Sequence, residues 1–190
     1  MQFTLCQQSA LAVLRSLRAA GSSRVQAFSV SASSTAASAK STRINLLPSD
    51  PSPRKRWTRG LVDNAIPDLP FSLAGKTLDF AVPSMDSRIR VQDSTYTVYA
   101  KGIPDNAFIR TRCSTDDCLL AISGPELLFV ELAKEMNPLE HLMLGHELCG
   151  TFARDARDPY NGPITYGVRP ATSVERIQRF SRRSSEHSWT

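Results

Sequence analysis

The chain has 190 residues, 41% of them hydrophobic, which suits one modest domain plus a segment that packs little. It contains no run of about 18 apolar residues, so no membrane span is expected. The net charge of +5 is compatible with nucleic acid or an acidic protein partner, and four scattered cysteines are too few for a disulfide framework, which points to reduced thiols in a cytoplasmic protein.

Two readings of the N-terminus stand side by side. In the first, residues 3–6 form a short strand and residues 9–17 a helix. Ala10, Val13, Leu14 and Leu17 then share a face, with Arg15 opposite and Arg18 at the edge, Ser9 as a cap and Gly21 as the stop. In the second, the start is an organelle presequence, because it is rich in Arg and Ser and has no acid before Asp50. Residues 29–41 are low in complexity and carry few large apolar groups, so a linker or mobile loop is expected there. Residues 51–60 read as a basic loop in which Arg54, Lys55, Arg56 and Arg59 surround Trp57. Cations around an aromatic ring hold phosphates and stack on bases, whereas the plainer reading is a solvated loop with Trp57 tucked onto the domain.

The chain divides on this reading into a strand–helix or presequence (1–22), a low-complexity and basic loop (23–60), a core domain (61–183) and a frayed tail (184–190). Within the core, strands are expected over residues 77–82, 95–100, 108–112 and 119–122, with Pro83 ending the first. Met85 to Arg90 reads as a polar turn carrying Arg88 and Arg90. The apolar period then lengthens from two to about 3.6. Ser123, Pro125 and Glu126 signal a capped helix start, and Leu128, Phe129, Leu132 and Met136 share a face. Asn137-Pro138 opens a second helix, with Leu139, Leu142, Met143, His146 and Cys149 on its inner face and Gly150 at its end. Residues 155–163 form a loop, and Thr172 to Glu175 read as a second capping box opening a short helix with Arg176, Arg179, Arg182 and Arg183. Strands followed by helices make an α+β fold: short strands, a helical pair and a C-terminal basic helix.

The residues contain no catalytic constellation. The nearest approach to a zinc motif is Cys113 and Cys118 with His146 and Cys149, whose types suit zinc. The commoner outcome is a buried cysteine and a core histidine, so no metal or other cofactor is expected. His146-Glu147 is not a metalloprotease motif, because Gly150 stands where the second histidine belongs. Glu131, Lys134 and Glu135 are the nearest candidates for the acids and lysine of a metal-dependent nuclease, but a solvated helix face explains them better. No phosphate-binding glycine loop or nucleophile elbow points to a small-molecule substrate.

Several segments together resemble the AbiEi-type antitoxin family of bacteria. They are Ser9-Ala10-Leu11, Phe80-Ala81-Val82-Pro83 followed by Arg88 and Arg90, Thr97-Val98-Tyr99, and Ser123-Gly124-Pro125-Glu126-Leu127-Leu128-Phe129. Glu147 to Phe152 (ELCGTF) and Thr172-Ser173-Val174 are similar to an actinobacterial group that carries a very-short-patch-repair-like endonuclease domain after this region. The family's N-terminal winged helix is not seen, and the chain ends where the nuclease would begin. The resemblance thus implies a non-catalytic regulatory or recognition module, or else a truncated member of the endonuclease-fused group, and it brings no catalytic residue with it. Arg54, Lys55, Arg56, Trp57, Arg59, Arg88, Arg90, Arg176, Arg179, Arg182 and Arg183 are the candidate contacts for nucleic acid, and an acidic protein is the other candidate partner.

Overall fold

A computed structural model describes residues 2–19, 57–66, 73–99, 103, 107–111, 118–154 and 163–185. The fold is α+β. In chain order the elements are β1 (Gln2–Leu5), α1 (Gln7–Ala19), α2 (Arg59–Ala65), β2 (Leu78–Val82), β3 (Ser94–Val98), β4 (Phe108–Thr111), β5 (Leu119–Ser123), α3 (Pro125–Leu132), α4 (Pro138–Cys149), β6 (Phe152–Arg154), β7 (Ile164–Tyr166) and α5 (Val174–Ser185). A 3-10 turn, Met85–Ser87, lies between β2 and β3. Among the described residues no helix is long and apolar enough to cross a membrane. Gly21, the segment 29–41 and Arg54, Lys55, Arg56 and Cys113 lie outside the described residues.

Five strands form one mixed sheet in the order β3-β2-β1-β5-β4, and β6 pairs with β7 in a small antiparallel sheet. β1 is central, parallel to β5 and antiparallel to β2. β2 runs parallel to β3, and β4 antiparallel to β5. Alternate residues point to opposite faces of a strand, so Phe3 and Leu5, Leu78 and Phe80, and Leu120 and Ile122 enter one large apolar cluster. Trp57 and the α2 residues Val62 and Ala65 complete that cluster, with the Trp57 ring edge-on to Phe3 at 6.0 Å. Ala81, at the alternate register, joins Cys6, Phe108, Leu127 of α3 and Phe180 of α5 in a second cluster. Helix α1 packs on β5 and β2 and touches α3 and β6.

Four expectations need correction. Ser9 is not a cap: the helix starts at Gln7, and the Ser9 hydroxyl donates to Asp79 at 2.9 Å while accepting from the Asp79 amide. Gly124, not Ser123, caps α3, and it does so without a side-chain hydrogen bond. Arg59 and Gly60, expected in the basic loop, open a helix over 59–65, with the Thr58 side chain accepting from the Leu61 amide. Helix α4 turns the face expected inside to the outside. Leu139, Leu142 and Met143 are exposed, as is His146, and Leu144, Glu147 and Leu148 are buried instead. Helical spacing groups residues on a face without saying which face meets the core. Gly145 lies on the side of the helix that faces α3, where a Cβ would sit 3.0 Å from the Phe129 ring.

Candidate functional site

Helix α5 is amphipathic by construction. Ile177, Phe180 and Ser184, at three- and four-residue spacing, are buried, and the Ser184 hydroxyl donates back to the Phe180 carbonyl at 2.9 Å. The opposite side carries Arg176, Arg179, Arg182 and Arg183, all exposed. A shallow depression of about 390 Å³ runs along this side, lined by Glu175, Gln178, Arg179, Arg182 and Arg183. The expected capping box is redistributed. Ser173 accepts from the Arg176 amide at 3.4 Å, while the Thr172 hydroxyl donates to Oε1 of Glu126 in α3 at 2.5 Å. The same Glu126 oxygen lies 3.2 Å from Nε of Arg176. Glu126 was legible only as a cap residue, because its real partners stand 46 residues away and further.

Among the described residues, the other candidates do not line this depression. Trp57 is only 8% exposed and packs edge-on against Phe3, tucked onto the domain as in the plainer reading, so the ring offers no face to a base and the stacking alternative is withdrawn. Arg59 is turned inward: its Nε donates to Asp63 at 2.7 Å and its Nη2 to the Leu73 carbonyl at 2.9 Å, and Nη1 reaches the Lys76 carbonyl. A guanidinium with its fork filled by carbonyls and a carboxylate is poorly placed to take a phosphate, so Arg59 serves α2 and the turn after it. Arg88 donates to the Met85 carbonyl at 3.3 Å, and Arg90 is exposed. The stretch between them is pinned by Tyr96, whose hydroxyl accepts from the Val91 amide and donates to the Ile89 carbonyl.

A polar cluster that the sequence concealed lies where β1, β3 and β5 end. Glu131, expected on a solvated face, is mostly buried, because α3 points it back across the strand ends. Its carboxylate accepts from the Gln7 amide at 2.9 Å, the Ser123 hydroxyl at 2.8 Å and the Tyr99 hydroxyl. Gln7 adopts φ +49° to aim that amide, a left-handed conformation that costs a side-chain-bearing residue energy. Burial raises the Glu131 carboxyl above its ordinary range, while the three donors pull it back down. Burial also pushes up the neighbouring Cys6 thiol, with the Glu131 charge adding to it, so Cys6 stays protonated and is not a nucleophile at neutral pH. Tyr99 is raised by the same two causes in the same order. The cluster joins α3 to the segments that follow β1 and β3 and to the end of β5.

A second concealed group sits between α1, α4 and β6. Arg15, expected opposite the core, donates from Nε and Nη2 to Glu147 at 2.9 and 2.7 Å, and both side chains are buried. The Glu147 carboxylate also accepts from the Arg154 amide at 3.1 Å. Arg18 donates to the carbonyls of Glu147, Gly150 and Arg169, which lie at the root of the β6–β7 hairpin. Burial lowers the Arg18 guanidinium from its ordinary value, with Glu147 opposing.

Of the zinc candidates, the three described residues are not assembled. Cys118 is buried in the main core, Cys149 is half-buried on α4, and His146 is exposed rather than a core histidine. Among the described residues no three His, Cys, Asp or Glu side chains come together in a way that would hold a metal ion. No protein-family model matches the chain, nor does any curated protein or solved structure.

Proposed function

We propose that this chain is a non-catalytic recognition module that holds the phosphates of nucleic acid on the exposed side of α5. The observation that carries the reading is the helix itself: Ile177, Phe180 and Ser184 anchor it, and Arg179, Arg182 and Arg183 stand exposed along one shallow depression. Anchoring matters because a guanidinium on a fixed helix meets phosphate with less ordering cost than one on a loop. The lining also includes the Glu175 carboxylate and the Gln178 amide, and the reading assigns the guanidiniums to the phosphate backbone. The motif series that resembles AbiEi-type proteins is in keeping with a regulatory module of this kind, working in the cytoplasm.

Fluorescence anisotropy of a labelled DNA duplex, titrated at increasing salt, tests the proposal. Each arginine that neutralises a phosphate steepens the log–log salt slope by about 0.9. Replacing Arg179, Arg182 and Arg183 together with Ala is expected to flatten the slope by roughly two to three. Absence of binding at low ionic strength sinks the reading, as does a triple variant with the wild-type slope. Salt-sensitive binding of an acidic protein in place of DNA would move the same surface to a different partner.

A further inference from the structure

The ion pair at the start of α5 bears on the strength of this surface. Arg176 shares a helix row with Arg179 and Arg183, being three and seven residues before them. Its side chain is half exposed, but its Nε faces Glu126 at 3.2 Å. Glu126 is far less exposed (12%) and its carboxylate is fixed twice over. It sits in the first turn of α3, where the helix dipole favours an anion, and its Oε1 accepts the Thr172 hydroxyl at 2.5 Å. The acid is thus anchored and the arginine is the partner able to swing away.

We infer that Glu126 is an internal competitor for phosphate: it holds Arg176 off the binding side of α5 and thereby sets the affinity of that side. The inference rests on the α5 reading. A phosphate drawing in Arg176 must first part it from Glu126, and that parting is the whole of the competition. The pair is partly solvated, so the competition is modest and belongs to tuning rather than to an on–off switch.

The test is a set of variants in the full chain, read by the same DNA titration. Glu126→Gln keeps an oxygen for Thr172 and removes the charge. It is expected to tighten binding roughly two- to fivefold at low salt and to steepen the slope by about 0.9, one further phosphate contact. Glu126→Asp keeps the charge but shortens the reach, and is expected to give a smaller gain in the same direction. In an Arg176→Gln background, Glu126→Gln is expected to change neither affinity nor slope. A gain that persists in that background overturns the inference, since the effect would then be general charge and not this pair. So does an unchanged slope in both Glu126 variants while the Arg179, Arg182, Arg183 triple variant still loses binding. In that case the α5 reading stands and only the competitor falls. A triple variant that binds like the wild type removes the α5 reading and the competitor with it.

Discussion

Glu131 shows how a single residue can change its meaning between sequence and fold. In a helical wheel it lies with Lys134 and Glu135 on a polar side, and nothing local says otherwise. Its partners are Gln7, Tyr99 and Ser123, on three other segments, so its burial is a property of the assembled sheet. Because its carboxyl is raised in the folded state above the ordinary 4.5, the folded chain binds the proton more tightly than the unfolded one. The stabilisation this gives is complete below 4.5 and is lost as pH rises through the folded value. Glu131→Gln has no such titration. Urea unfolding of both proteins between about pH 4.5 and pH 8 is therefore expected to show the wild type losing stability relative to the variant, at up to about 1.4 kcal/mol per pH unit within that window. Parallel stability curves would mean that the three donors have cancelled the burial.

Among the helices, local signals worked where the partners were local. Asn137-Pro138 opens a helix as expected, and Asn137 adds a capping box that was not expected there: its side chain accepts from the Leu139 and Glu140 amides, and Glu140 reaches back to the Asn137 amide. Asn137→Ala is expected to cost about 1 kcal/mol, checked by denaturant midpoint. Gly124 works differently, through space. Its amide donates to the Ala107 carbonyl at 2.7 Å, and a Cβ there would lie 2.8 Å from the same oxygen. The opposing atom is backbone and cannot rotate away, so Gly124→Ala is expected to destabilise by about 1–3 kcal/mol; an unchanged midpoint would show that the α3–β4 approach is soft. The strands β2 to β5, the helices α3 to α5 and the α+β class were readable from period and punctuation. β6 and β7 were not, because three residues each show no period, and α2 was hidden by its position at the end of a basic stretch. Of the binding candidates, the exposed side of α5 and the tucked Trp57 were legible in the sequence, whereas Arg59 needed the Leu73 and Lys76 carbonyls before its role could be seen.

For the molecule as a whole, the Arg15–Glu147 pair ties the first helix to the fourth across 132 residues of sequence. Removing one partner of a buried pair leaves an uncompensated charge, so Glu147→Ala is expected to cost about 3–5 kcal/mol, while Arg15→Met with Glu147→Met together recovers much of that. Equal losses in the single and double variants would show that packing, not charge, carries the join. No local pattern betrays such a pair: Arg15 on its own reads as a surface arginine. The central position of β1 has a further consequence in time. Gln2 pairs with Leu119 and Leu5 with Ile122, so β1 cannot acquire its parallel neighbour until the segment that reaches β5 has been made. Until then one edge of β1 is open, and closing that long loop must precede any gain from it, so refolding followed by stopped flow is expected to be slow for a chain of this helix content.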